Sequence, residues 1–457
     1  MRVTVYPKGG AGGFNRGFTP IVRIPASKSH TIRQIIIASL AEAPCEIIHP
    51  LDSLDTASCI AVCRGLGAQI TEHRAHDPLS PNPPDKNGKK LVRLEIQGGV
   101  LPPGAGGEGL LDVGNSGTTL FFAIAAAALQ PRRFVFTGDR QTQARSAGPL
   151  LDALASLGVQ VSGNAGCLPI TVAGPYKGGK ARLPCPTSQY LSALLLAAPL
   201  AKAGSVTEIE IPLLNERPYI EMTLSYLKSH GISYESDPDF SRFVIPGGGV
   251  WKAFSASVPG DFSSAAFPAA AAAIGGSPVT ILGLDPKDSQ GDKAFFDILE
   301  KMGCYVKWEQ APEGGHAVTV SRSGGSLAGG IFDLNATPDL LPAAAAVAAY
   351  ARGDTVLTNV AHARIKETDR IAAMAQGLAQ LGVNCTEKSD GLVIHGRGGL
   401  AAVSPAGGSC LVDSHGDHRI AMALAAAALG AQTPVEIDGA QCVAVTYPGF
   451  FDLFESV

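Results

Sequence analysis

An internal repeat constrains this chain more than any other feature. A short polar stretch followed by an Ala/Leu-rich run occurs six times. The copies are SKSHTIRQIIIASLAEA from Ser27, NSGTTLFFAIAAAALQ from Asn115, TSQYLSALLLAAPLA from Thr187, DFSSAAFPAAAAAIGG from Asp261, TPDLLPAAAAVAAYARG from Thr337 and DHRIAMALAAAALGA from Asp417. Anchored on Ser29, Ser116, Ser188, Ser263, Pro338 and His418, they lie 87, 72, 75, 75 and 80 residues apart. A second series runs in phase: an amphipathic stretch, a Gly, then a β-like run. It occurs at Gly67, Gly158, Gly231, Gly303 and Gly382, each 38 to 44 residues after its anchor. Two in-phase series at one period read as a repeated structural unit, with Gly at the helix C-termini because it accepts left-handed backbone.

Helical runs that are apolar on every side must be buried on every side. Each unit therefore predicts a buried helix, a strand, an amphipathic helix, and a strand or hairpin. The expected fold class is α/β, as two inside-out α/β barrels whose Ala-rich helices pack within a shell of strands and amphipathic helices. Six units divide into two domains of three. The first is expected over residues 25–259, with an insertion at 73–107 that contains the exposed loop SPNPPDKNGKK. The second takes 1–24 and 260–457, because the sixth unit needs a closing strand from Arg2 to Tyr6 or Ile21 to Ile24. Gly9 to Gly17 is expected as a loop.

Composition narrows the function classes. The chain is 46% apolar and 17% charged, so it should fold compactly. A formal charge of −4 argues against nucleic acid and anionic membrane as partners. The Ala-rich runs fall short of the ~20 apolar residues that span a bilayer. Met1 to Pro7 alternates like a strand rather than a signal peptide, and nine Cys lack CxxC pairing. A reduced cytoplasmic protein, acting as a monomer, is the expectation.

Polar residues collect where the buried helices begin: Lys28, Ser29 and Arg33; Asn115, Ser116, Gly117 and Thr118; Thr187, Ser188 and Gln189; Asp339; Asp417, His418 and Arg419. Ser, Thr, Asn and Asp there serve equally as N-caps or as part of an anion site. Capping does not account for Lys28, Arg33 and Arg419, since a cation at a helix N-terminus is unfavourable without an anion. RIKETDR, Arg364 to Arg370, reads as a solvated helix start or as a site. RQTQAR, Arg140 to Arg145, reads as surface arginines or as a site. HGDH, His415 to His418, lacks partners at ligand spacing, so no metal is expected. No phosphate-binding glycine loop stands in a strand-turn-helix context, so no nucleotide cofactor is expected either.

In one order along nearly the whole chain, these residues resemble the enolpyruvyl transferases. The matching strings are Pro25-Ala-Ser-Lys28-Ser29 with Arg33, Gly114-Asn115-Ser116-Gly117-Thr118, Gly138-Asp139 with Arg145, Thr187-Ser188-Gln189, Arg217-Pro218-Tyr219, Gly260-Asp261-Phe-Ser-Ser264, Pro338-Asp339, Lys366-Glu367-Thr368-Asp369-Arg370, Asp417-His418-Arg419 and Tyr447-Pro448. The resemblance implies two domains of three βαβαββ units. It also implies transfer of the enolpyruvyl group of phosphoenolpyruvate to the 5-hydroxyl of shikimate 3-phosphate, with release of phosphate and no cofactor. Lys28, Gly117, Arg145, Arg370 and Arg419 then match donor-binding positions. Ser29, Arg33, Thr187, Ser188, Gln189, Tyr219, Asp339 and Lys366 match acceptor-binding positions. Asp339 matches a base toward the hydroxyl and Glu367 a proton donor to carbon, and Lys28 is counted with them as catalytic. Asn115, Asp417 and His418 support.

The chain departs from the family pattern at four places. Glu216 stands where many members have Ser, Val445 where many have Lys, Phe121 where many have Arg, and His362 where Asn is common. Arg140, Arg364 and His30 are the candidates to restore the lost cations. Alternatives to the implied reaction are an enolpyruvyl transferase with another acceptor, the sister UDP-sugar enzyme, an RNA-end-processing relative and a non-catalytic binding protein. Asp339 and Glu367 weigh against the last, and the absence of Cys between Cys63 and Cys167 against the UDP-sugar enzyme.

Overall fold

The structure is a computed structural model of the 457-residue chain. It describes residues 1–7, 19–99, 109–311, 314–322, 325–398 and 409–452. The expected loop Gly9 to Gly17 and the end of the expected insertion, 100–107, lie outside the described residues. The chain forms two compact units. One is continuous, Lys28–Val258, and the other is split, Met1–Ser27 with Pro259–Val457.

In the continuous unit the Ala/Leu runs form helices Lys28–Leu40, Gly117–Ala127 and Gln189–Ala197. In the split unit they form Phe262–Gly275, Leu341–Ala348 and His418–Ala428, all packed on one another. Burial is close to complete: Ala343–Ala348 is 0–1% exposed along its length. Alanine suits this place because a third helix must fit against two others at native density, and larger side chains would overpack it. Amphipathic helices Leu54–Leu66, Gly148–Ser156, Arg217–Ser229, Ala294–Lys301 and Arg370–Gln380 each bury one face. All five glycines of the second series have φ between 72° and 116°. Gly67 shows why: its left-handed backbone turns the next N–H, that of Ala68, back to the Cys63 carbonyl at 3.0 Å.

Five of the six described sheets repeat one pattern. A strand before the buried helix pairs in parallel with the strand after it, which then pairs antiparallel with a hairpin. In the second repeat Gly109–Asp112 pairs with Arg133–Thr137, then Cys167–Ala173, then Gln160–Asn164. The third and fifth repeats follow suit.

The first and fourth repeats obtain their leading strands from elsewhere in the chain. Ser255–Ser257, just before the chain leaves the continuous unit, pairs in parallel with Cys45–Ile48 of the first repeat. Ile21–Arg23, just before it enters that unit, pairs in parallel with Val279–Leu282 of the fourth. The sixth repeat has Cys410–Asp413 parallel to Val435–Asp438, and Arg2–Val5 closes it antiparallel. Of the two N-terminal segments expected to supply that strand, each therefore closes a different sheet.

The expected insertion at 73–107 is narrower than the sequence suggested. Lys90–Gln97 is a strand of the first sheet, paired with Cys45–Ile48 and Gln69–Ala75. Its alternation buries Leu91, Leu94 and Ile96. SPNPPDKNGKK is pinned rather than wholly exposed: Asn82 Nδ2 donates to the Pro50 and Leu91 carbonyls, both at 2.8 Å, and its Oδ1 accepts from Asp52 N at 3.0 Å.

Candidate active site

In the split unit three helix N-termini bring one charged cluster together. Asp369 N-caps Arg370–Gln380, accepting from Ala372 N at 3.0 Å. Arg370, the first helical residue, turns inward and is 0% exposed. Its Nη1 donates to Asp339 Oδ1 at 2.6 Å, its Nη2 to Glu367 Oε2 at 2.5 Å and its Nε to Asp417 Oδ2 at 2.7 Å. Asp339 lies in the 3₁₀ turn leading into Leu341–Ala348. Asp417 caps His418–Ala428 by accepting from Arg419 N at 2.8 Å. Arg419 Nη2 meets Asp339 Oδ2 at 2.9 Å. His418, 1% exposed, has Nδ1 3.9 Å from Asp417 Oδ1.

Electrostatics assigns different tasks to these carboxylates. Burial alone would raise the Asp339 carboxyl, but Arg419, Arg370 and Lys366 outweigh it and hold the group ionised well below the ordinary range. Burial opposes charge on Arg370 too, and Asp417, Glu367 and Asp339 more than compensate. The side chains of Asp339 and Glu367 retain 20% and 10% exposure, while that of Asp417 retains none. Asp339 and Glu367 can therefore meet a ligand, and Asp417 can only support Arg370. RIKETDR divides accordingly: Asp369 is a cap, whereas Glu367 and Arg370 belong to the cluster.

Asp292 is the member that sequence reasoning missed. It is 1% exposed and hydrogen-bonded by the Ser263 hydroxyl. Burial, with Asp339 nearby, pushes it up to about 7 against the pull of Arg419. Neighbouring Gln290 accepts from Phe262 N at 3.1 Å and donates to the Gly260 carbonyl at 2.9 Å. Gln290-Gly291-Asp292 was the available signal, but it has no counterpart in the other repeats to mark it.

In the continuous unit the expected residues form three groups. Lys28 Nζ lies 3.4 Å from Asp55 Oδ2, which offsets the cost of a cation at a helix start. Arg33 is 2% exposed; its Nε donates to Thr223 Oγ1 at 3.0 Å and its Nη groups to Ser29 O, Ser192 Oγ and Tyr219 O. Burial lowers it to about 10, a range in which it stays charged at neutral pH.

Ser116 caps Gly117–Ala127, and Asn115 Nδ2 donates to Asp139 Oδ2 at 2.6 Å and Gln141 Oε1 at 2.7 Å. A methyl at Gly117 would overlap the Arg145 guanidinium, so glycine there lets Arg145 lie across the helix N-terminus. Of the RQTQAR segment, Gln141 and Arg145 thus join this group, while Arg140 is exposed.

Thr187, Ser188 and Gln189 begin the third buried helix. Glu216 Oε2 accepts from Thr187 Oγ1 at 3.1 Å, Ser188 N at 3.0 Å and Ser188 Oγ at 2.7 Å. Gln189 N donates to Thr187 Oγ1 at 3.4 Å.

The other departures are absorbed by packing. Phe121 meets Tyr190 edge-on, centroids 5.0 Å apart. Val445 is buried, and His362 Nε2 lies 3.1 Å from Asn335 O. Arg364 is tied to Asp369, Glu387 and the Ser389 and Lys388 carbonyls, and His30 Nδ1 lies 2.6 Å from Tyr226 Oη, so both are engaged within the fold.

The model of the family EPSP synthase (3-phosphoshikimate 1-carboxyvinyltransferase) matches residues 17–454. The 3-phosphoshikimate 1-carboxyvinyltransferase of Acetivibrio thermocellus is 44% identical over 431 residues, covering 94% of this chain and 93% of that protein. The enzyme of that name from Methanococcoides burtonii is 41% identical over 440 residues, covering 95% and 94%. Among solved structures, EPSP synthase from Acinetobacter baumannii superposes with a TM-score of 0.75 at 28% identity, covering 99% of this chain and 97% of that one. The enolpyruvyl transferase NikO from Streptomyces tendae shares the fold, with a TM-score of 0.71 at 17% identity over 99% and 96%. Repeat, fold, charged cluster and similarity along the chain agree, and the chain belongs to the EPSP synthase family.

Proposed function

We infer that this chain transfers the enolpyruvyl group of phosphoenolpyruvate to the 5-hydroxyl of shikimate 3-phosphate and releases phosphate. The observation that carries the reading is one buried guanidinium, Arg370, holding Asp339 and Glu367 where both keep some exposure. Addition needs a proton delivered to the donor's methylene carbon while the acceptor hydroxyl loses one. Asp339, kept ionised by Arg419 and Arg370, suits the base. Glu367 takes the role of proton donor to carbon. Elimination then returns one proton from the new methyl group to Glu367 as the carbon–oxygen bond to phosphate breaks, and Asp339 passes its proton to the departing phosphate.

The anionic groups of the donor draw on Lys28, Arg145, Arg370 and Arg419, with Gly117 leaving room for Arg145. The acceptor draws on Ser29, Arg33, Thr187, Ser188, Gln189, Tyr219 and Lys366. Asn115, Asp417 and His418 orient these groups; Asp417 does so through two bonds to Arg370. Among the described residues no helix is long and apolar enough to cross a membrane. The nine cysteines are free, as a reducing cytoplasm would keep them, and the chain is proposed to act there as a monomer.

Purified protein mixed with both substrates should release inorganic phosphate. Glu367→Gln should lower kcat by ~100-fold or more, the usual worth of a general acid. Phosphate release only with a different acceptor would overturn the substrate assignment.

A further inference from the structure

Glu216 is a carboxylate in an unusual position. It is 1% exposed, and its backbone has φ 60° and ψ 42°, the left-handed region that a β-carbon disfavours. It immediately precedes helix Arg217–Ser229 but makes no side-chain cap to it. Its side chain crosses instead to the N-terminus of Gln189–Ala197, where one oxygen accepts three hydrogen bonds. Ser188, the N-cap residue of that helix, makes no side-chain cap of its own. Helix N-termini attract anions through their unpaired N–H groups and dipole, and here the chain supplies the anion itself.

Donor stoichiometry gives this arrangement a consequence. A hydroxyl carries one proton and a backbone amide one. With all three directed at Glu216 Oε2, neither Ser188 nor the Thr187 hydroxyl can donate to an incoming anion. The acceptor-binding role given above to Thr187 and Ser188 requires those protons. An incoming phosphate would also meet the Glu216 carboxylate at contact distance, a like-charge encounter in a buried place. Both effects end only when the Glu216 side chain leaves.

We propose that Glu216 is an internal anion that occupies the acceptor-phosphate seat at the start of helix Gln189–Ala197, and that acceptor binding proceeds by displacing it. Glu216 is thus a specificity-determining residue: it lowers affinity for phosphate-bearing acceptors by competing for the same three donors. This inference rests on the proposed acceptor role of Thr187 and Ser188.

The test compares wild type with Glu216→Ser and Glu216→Gln. Serine removes the carboxylate, and the KM for shikimate 3-phosphate should fall by ~10-fold, the equivalent of one charge-assisted hydrogen bond. Glutamine keeps an acceptor oxygen without the charge, so its KM should fall less. The KM for phosphoenolpyruvate should stay within about twofold in both. A rise in acceptor KM, or a loss of kcat at unchanged KM, would overturn the proposal and make Glu216 a scaffold for the two hydroxyls.

A second measurement is independent of turnover. Inorganic phosphate should raise the melting temperature of the Glu216 variants more than that of wild type; an equal shift counts against displacement. If wild type fails to release phosphate from the two substrates, the functional reading fails, and this second arm still decides whether Glu216 competes with an anion. Should Glu216→Ser not fold, Glu216→Gln carries both measurements.

Discussion

At the residue scale, neighbours decide what a side chain does. Asp339 and Asp292 are carboxylates of the same unit, yet one is held ionised by Arg419, Arg370 and Lys366 while burial pushes the other up to about 7. Asp292 therefore binds a proton in the fold that it would lose in the unfolded chain, where its value is 3.8. Its contribution is full below about pH 4 and is lost as pH rises through 7. Asp292→Asn removes the ionisation and keeps an oxygen for the Ser263 hydroxyl. The stability of that variant relative to wild type should grow between pH 5 and pH 8 by a few kcal/mol, read from urea midpoints at each pH. A pH-independent difference would show that Asp292 is already ionised in the folded chain. Lys28 and Arg33 were legible as residues that capping could not explain, and Arg370 as part of the RIKETDR cluster. Their pairing with Asp55, Thr223 and Asp417 was not, because those partners lie 27, 190 and 47 positions away along the chain.

At the element scale the sequence was most readable. Unbroken Ala/Leu runs became buried helices, and five phased glycines became left-handed helix ends. Gly67→Ala would force a β-carbon into φ 116° and should destabilise the chain by ~1–2 kcal/mol, measurable as a lower denaturant midpoint without a change in slope. Wild-type stability in that variant would mean that the turn relaxes to another conformation. Strand pairing was harder to read. Lys90–Gln97 was hidden within a Pro- and Lys-rich stretch, and only its ladder to Cys45–Ile48 reveals that the first repeat contains the same hairpin as the others. The turn 80–90 looks like solvent-exposed loop by composition, but Asn82 anchors it to three backbone groups.

At the scale of the whole molecule, strands distant in sequence close the sheets. Arg2–Val5 covers the edge of Val435–Asp438, so removing Met1–Tyr6 would leave four ladder positions unpaired. Amide exchange at 435–438 should then accelerate by at least ~100-fold, while the sheets of Lys28–Val258 keep their protection. Uniform loss of protection across both units would show that the two unfold as one. The sequence alone determined the repeat, the buried helices, the helix-ending glycines and the family motifs, because each depends on residue type and on spacing within about one repeat. Tertiary structure decided which distant strands close the first, fourth and sixth sheets. It also decided that Arg370 gathers three carboxylates and that Glu216 sits on Ser188. Those facts depend on which backbone edges and charges are brought together across the fold, and buried charges must find partners wherever the chain happens to supply them.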